Sequence, residues 1–173
     1  MSGVALTKVM SKGKRLFDKS SMIAAFLILL FFRLNWGYQY FVSGRGKFLN
    51  HSDIVDFFTS LHIPFPDFNA WFVAGVEAVG GILLILGLFN RPLGIILSIN
   101  MIVAYLSVED DRAKVLNFFK EQDPFFQADP FFFLLTALLA FAFGAGPLSL
   151  DRLIVYLWNR RTSKTNTQSS TQS

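Results

Sequence analysis

The chain has no cysteine and only two histidines, His51 and His62, in 173 residues. The first absence excludes thiol chemistry, disulfide exchange, Cys-ligated iron–sulfur clusters and covalent haem attachment through this chain. Both histidines fall in a polar stretch after the first apolar run, so a His pair ligating haem inside a bilayer is excluded as well. Charge is scarce: 16% of residues are Asp, Glu, Lys or Arg, against roughly 25% in soluble domains. In its place stand 53% hydrophobic residues, 21 of them phenylalanine, and a mean hydropathy of +0.45. The apolar residues come in long runs with the charges pushed between them, which is the composition of a membrane protein. The net charge of +4 comes from basic residues flanking those runs, not from a basic stripe, so the expected partner is a lipid bilayer and not nucleic acid.

The pattern predicts an all-α, polytopic protein with a four-transmembrane-helix bundle and short interfacial helices. Residues 1–21 form a basic arm whose Val4, Leu6, Val9 and Met10 alternate with lysines, in the manner of a helix lying on an anionic leaflet or of a disordered arm. Its outline resembles a signal peptide, but the run that follows is long, broken by Arg33 and without a small-x-small site, so a retained first span is expected. The four-span domain covers residues 22–155, with spans at about 22–42, 68–89, 92–108 and 130–147, each judged against the ~20 residues that cross a hydrocarbon core. Between the first two spans, Ser52 or Asp53 is placed to cap a helical turn with Ile54, Phe57, Phe58 and Leu61 on one face, ended by Pro64 and Pro66. Asn90, Arg91 and Pro92 read as a minimal turn, with Pro92 opening the third helix, and Asp129 and Pro130 as cap and first residue of the fourth. The second span carries Ala70, Ala74 and Ala78 at four-residue spacing, which suits close helix approach in lipid. The tail at 156–173 is polar, of low complexity and expected to be disordered.

Flanking charge sets the orientation. Lys8, Lys12, Lys14, Arg15 and Lys19 precede the first span, Arg91 sits in the second turn, and Arg152, Arg160, Arg161 and Lys164 follow the last span. The two long loops carry five basic residues against nine acidic ones, so both termini are expected in the cytoplasm of a bacterial inner-membrane protein.

Two spans hold a charge near the middle, Arg33 in the first and Glu77 in the second. Counted from the expected cytoplasmic edges, Arg33 lies ~17 Å deep and Glu77 ~18 Å deep at 1.5 Å per residue, which predicts a bidentate ion pair between adjacent helices. Such a pair either sets the register of two helices or lines a polar cavity that holds a head group or passes a proton, and the remaining alternative is that the two residues do not meet at all. Trp36, Tyr40, Lys47 and Asn100, the single strongly polar residue of the third span, are the candidates to line that cavity. No residue is assigned a catalytic role or a metal.

Arg33-x3-Gly37, Gly44-x2-Lys47, Leu-x-Ile-Pro64, Glu77-x2-Gly80-Gly81, Leu-Gly-Leu-Phe-x-Arg91 and Gly144-x-Gly146-Pro147-Leu-Ser-Leu-Asp151 occur in that order. In this the chain resembles the DoxX family of small bacterial membrane proteins over about residues 22–155. Ser43 departs from the pattern, standing where relatives often carry histidine. The resemblance implies a four-helix membrane protein, with relatives that include a subunit of an archaeal thiosulfate:quinone oxidoreductase and a component of oxidative-stress defence. It marks Arg33, Lys47, Glu77, Arg91 and Asp151 as family-matching polar positions.

Two functions follow as expectations. One is an accessory subunit of a quinone-linked membrane redox complex, with no redox centre and no covalent cofactor of its own, where quinone or lipid is the small molecule it would meet. The other is a structural or assembly subunit whose Phe-rich 116–133 stretch contacts other membrane subunits. A transporter fits less well, since no inverted repeat with broken helices is visible.

Overall fold

In the computed structural model the backbone is described for residues 3–169 and the side chains for 14, 15 and 17–160. The described residues form eight helices and no strand. They are α1 (Gly3–Leu49), α2 (His51–Ser60), α3 (Pro66–Leu86), α4 (Asn90–Ser107), α5 (Glu109–Leu116), α6 (Asp123–Gln127), α7 (Pro130–Phe143) and α8 (Leu150–Ser169).

Two tight pairs carry the architecture: α1 packs along α3, and α4 along α7, with lighter contacts joining α3 to α4 and α1 to α7. The first pair is close because glycines face backbone. A Cβ on Gly44 would sit 2.3 Å from the Ala78 amide nitrogen, and one on Gly81 would sit 2.5 Å from the Gly37 carbonyl. The second pair repeats the device, with Gly94 against the Ala137 carbonyl and the Phe141 amide. Small residues at such crossings are how helices gain van der Waals contact where lipid offers no hydrophobic drive. Tyr40, Leu84, Leu93, Leu97 and Met101 fill the centre with Ala137 and Ala140.

Several boundaries differ from those expected. Helix α1 runs unbroken past residue 42 to Leu49, which turns Ser43, Gly44 and Lys47 from loop residues into a helical face. Helix α2 begins at His51 after Asn50, and no side chain caps it, so neither Ser52 nor Asp53 serves as the cap. Pro66 opens α3 instead of closing α2, behind Phe65 in the left-handed region at φ 48°. Helix α3 stops at Gly87, whose φ of 71° suits a residue without a Cβ, and Leu88 N–H reaches back to the Leu83 carbonyl. Asn90 rather than Pro92 opens α4, and Asp129 precedes α7 without a side-chain capping bond. Helix α8 continues to Ser169, so most of the tail expected to be disordered has a helical backbone; residues 170–173, and residues 1 and 2 of the basic arm, lie outside the described residues.

Among the described residues, α3 is the one helix long and apolar enough to cross a membrane by itself, with a mean hydropathy of 1.8. Helix α4 qualifies only together with α5, across a bend of 100°. The 14 residues of α7 extend ~21 Å, short of a ~30 Å hydrocarbon core. The apolar run of the expected fourth span is cut at Gly144, where φ is 71° and the helix gives way to a turn.

Candidate functional site

The α1–α3 contacts set an antiparallel register in which Gly37 meets Gly81, Gly44 meets Ala78, and Phe48 meets Trp71. In that register Glu77 faces Ser43, and Arg33 faces Gly87 at the far end of α3. Arg33 and Glu77 therefore do not pair: ten residues of α1, ~15 Å, separate Arg33 from the level of Glu77. The expectation of equal depth measured each span from its apolar edge, whereas the helices are aligned by their glycines.

Glu77 has other partners. Its residue is 4% exposed, and Oε2 accepts from Lys47 Nζ at 2.5 Å and from Ser43 Oγ at 2.8 Å. Lys47 Nζ also donates to Ser43 Oγ at 2.8 Å, so the hydroxyl accepts from the ammonium and donates to the carboxylate. Asn100 Nδ2, from α4, donates to Oε1 at 3.3 Å. Ser43 and Lys47 stand one helical turn apart on α1, and this i,i+4 spacing brings both to one carboxylate. A buried carboxylate needs an opposite charge and filled lone pairs, and these three donors provide both.

The cluster borders a cavity of about 520 Å³. Most of the remaining lining is apolar, with Phe57 and Phe58 from α2, Val73 from α3, Met101 from α4 and Phe133 from α7, while Asn69, Ser107 and Asp129 add polar groups. Helix α2 is held over it by His51, whose Nε2 lies 2.9 Å from Asp67 Oδ1 and whose ring stacks on Trp71 at 4.2 Å. The result is a largely apolar chamber with a few convergent ionisable and amide groups, the usual form of a small-molecule site. Lys47 and Asn100 can donate to a ligand oxygen beside the Glu77 carboxylate that holds them.

Trp36 and Tyr40 lie elsewhere. Trp36 stacks on Phe132 with ring centroids 5.2 Å apart, and Tyr40 donates its hydroxyl to the Phe133 carbonyl at 2.9 Å, so both fasten α1 to α7. Arg33 donates Nη1 to the Ala145 carbonyl, and Nη2 to the Leu148 carbonyl at 2.7 Å, clasping the turn between α7 and α8. Asp151 Oδ2 accepts from the Phe89 N–H at 3.0 Å at the start of α4, and Arg91 is exposed beside Gly144. The family-matching polar positions thus divide between a cavity, with Lys47 and Glu77, and a clasp at the opposite end, with Arg33 and Asp151.

Residues 28–110 match the DoxX family. The chain carries a DoxX domain. The match takes in α3, α4 and the part of α1 that bears Arg33, Ser43 and Lys47, and so contains every residue of the Glu77 cluster. With the family comes a membrane setting. A relative from Bacillus subtilis (strain 168), named "Putative oxidoreductase CatD", is 32% identical over 80 residues, which is 46% of this chain and 58% of that protein. No solved structure matches significantly.

Proposed function

We propose that this DoxX protein is a multi-pass component of the bacterial cytoplasmic membrane with both termini in the cytoplasm, and that it serves as an accessory subunit of a quinone-linked redox complex. Helices α1, α3, α4 and α7 form its membrane domain, with α7 reaching only part of the way across. Ile23, Leu27, Ile28 and Phe31 of α1, and Ile95, Ile96, Ile99 and Ile102 of α4, are all at least 45% exposed, an apolar surface that lipid would cover and water would not. The oxidoreductase name of the Bacillus relative supports the redox setting, and the partner would carry the redox centre.

The observation that carries the reading is the Glu77 carboxylate, buried with Lys47, Ser43 and Asn100 at the wall of an apolar cavity. A quinone fits that donor set: Lys47 and Asn100 would hold a carbonyl oxygen, the Glu77 carboxylate would orient both donors, and Phe57, Leu61 and Phe133 would contact the ring. When bound, a quinone supplies two-electron, two-proton carrier chemistry. The chain's own part is to orient the head group and exclude water from it.

Gentle purification followed by solvent extraction tests the reading. Quinone is expected with the native protein and depleted in Lys47→Met and Asn100→Leu variants. Recovery of neither a quinone nor a redox partner would sink it. A second reading, as an assembly subunit, draws on Phe119, which is 93% exposed beside the edge-to-face cluster of Phe118, Phe125 and Phe126. Glu77→Gln separates the two: normal abundance with reduced activity of the host complex favours the redox role, and unchanged activity favours assembly.

A further inference from the structure

We propose that the end of the molecule opposite the Glu77 cavity holds a binding site for the phosphate of an anionic phospholipid, in a groove between the start of α4 and the start of α8 whose two arginines are Arg91 and Arg152. The inference rests on the membrane reading above and on the placement of both termini in the cytoplasm.

The groove encloses about 580 Å³ and is bordered by Arg91 and Pro92 of α4, the Gly144–Gly146 turn, and Arg152, Ile154 and Val155 of α8. Neither arginine forms an ion pair among the described residues, and both are exposed. The single carboxylate on the groove, Asp151, is engaged by the Phe89 N–H, which leaves two guanidiniums facing one committed acid. Asn90 also borders the groove; it is 2% exposed, and neither its Nδ2 nor its Oδ1 has a partner. Guanidinium groups bind phosphate oxygens in a fork geometry, and basic pockets between membrane helices on the cytoplasmic side suit lipid head groups.

What makes the occupant a lipid is the remaining surface. Ile154 and Val155 are 54% and 58% exposed, Phe89 is 68% exposed and Phe143 is 61% exposed, so the groove is flanked by exposed apolar side chains on which an acyl chain would lie. A soluble phosphate would leave that face uncovered. Helix α8 itself presents Leu153, Tyr156 and Leu157 about half exposed and packs little on the other helices, as a helix resting in the head-group layer would.

The test uses the full chain in mild detergent and compares binding of phosphatidylglycerol, phosphatidylcholine with the same acyl chains, and glycerol 1-phosphate by native mass spectrometry. Phosphatidylglycerol is expected to bind at least about ten-fold more tightly than phosphatidylcholine, since each basic residue near the head groups contributes roughly a five-fold preference. The preference should vanish in R91Q/R152Q and persist in E77Q, with helical content unchanged in both. Equal binding of the two lipids, or a preference that survives R91Q/R152Q, overturns the site. Binding of glycerol 1-phosphate as tight as that of the lipid overturns the lipid as its occupant. Carbonate extraction of native membranes keeps the two levels apart: a protein released to the aqueous phase defeats the membrane reading itself, whereas one retained without a lipid preference defeats only this site.

Discussion

At the scale of single residues, Lys47 and Glu77 illustrate how a buried pair is held by its context. Lys47→Met would leave the Glu77 carboxylate buried against Ser43 and Asn100 alone, and breaking one side of a buried pair costs about 3–5 kcal/mol. Replacing both, as Lys47→Met with Glu77→Leu, should recover most of that loss, because an apolar pair of similar volume needs no desolvation to be repaid. Denaturation of the three variants in one detergent checks this, and simple additivity of the single effects would contradict it. Arg33 and Glu77 were legible in the sequence as charges within apolar runs, but the true partner of Glu77 was not. Lys47 lay beyond the expected end of the first span, and a helix continuing for seven further residues to Leu49 carries it onto the face of Ser43. Ser43 itself gave no signal beyond its departure from the family pattern.

Glycine contacts decide the behaviour of the elements. A Cβ at Gly44 meets backbone of α3 that cannot yield, so Gly44→Ala should destabilise the α1–α3 pair by about 1–3 kcal/mol, in the range of other overpacking changes. Gly46, two residues on, has open space where a Cβ would go, and Gly46→Ala should be neutral or stabilise α1 by up to about 1 kcal/mol. Thermal unfolding of the two variants side by side measures the contrast, and equal losses would remove the glycines from the account of register. Helix α5 offers a pH prediction. Lys114 Nζ donates to Asp111 Oδ1 at 2.7 Å, and this hydrogen bond raises its pKa, aided by the charges of Asp110, Asp111 and Asp129. The support is therefore fully present below the ordinary lysine range and fades as pH rises through the elevated folded value. Amide exchange across Glu109–Leu116, corrected for intrinsic rate, should stay flat through neutral pH and loosen in strong alkali, a response that Lys114→Met abolishes.

For the whole molecule, orientation is the property open to direct measurement, and the absence of native cysteine makes it simple. Ser52→Cys should react with an impermeant thiol reagent from outside intact cells, and Ser163→Cys only after permeabilisation. The reverse pattern would overturn the proposed topology, the cytoplasmic leaflet for the phosphate groove included. Composition and hydropathy patterning were sufficient, without any contact, to point to a helical protein of membrane character and to pick out its polar residues, while the ordered motifs carried the similarity to DoxX proteins. That follows because segregated apolar runs and flanking charge are properties of the chain itself and are summed over many residues. Which polar residues meet was decided only in the tertiary structure. The register of α1 on α3 depends on where Gly37, Gly44 and Gly81 let two backbones touch, and a shift of ten residues there gives Glu77 to Lys47 and Arg33 to the turn before α8.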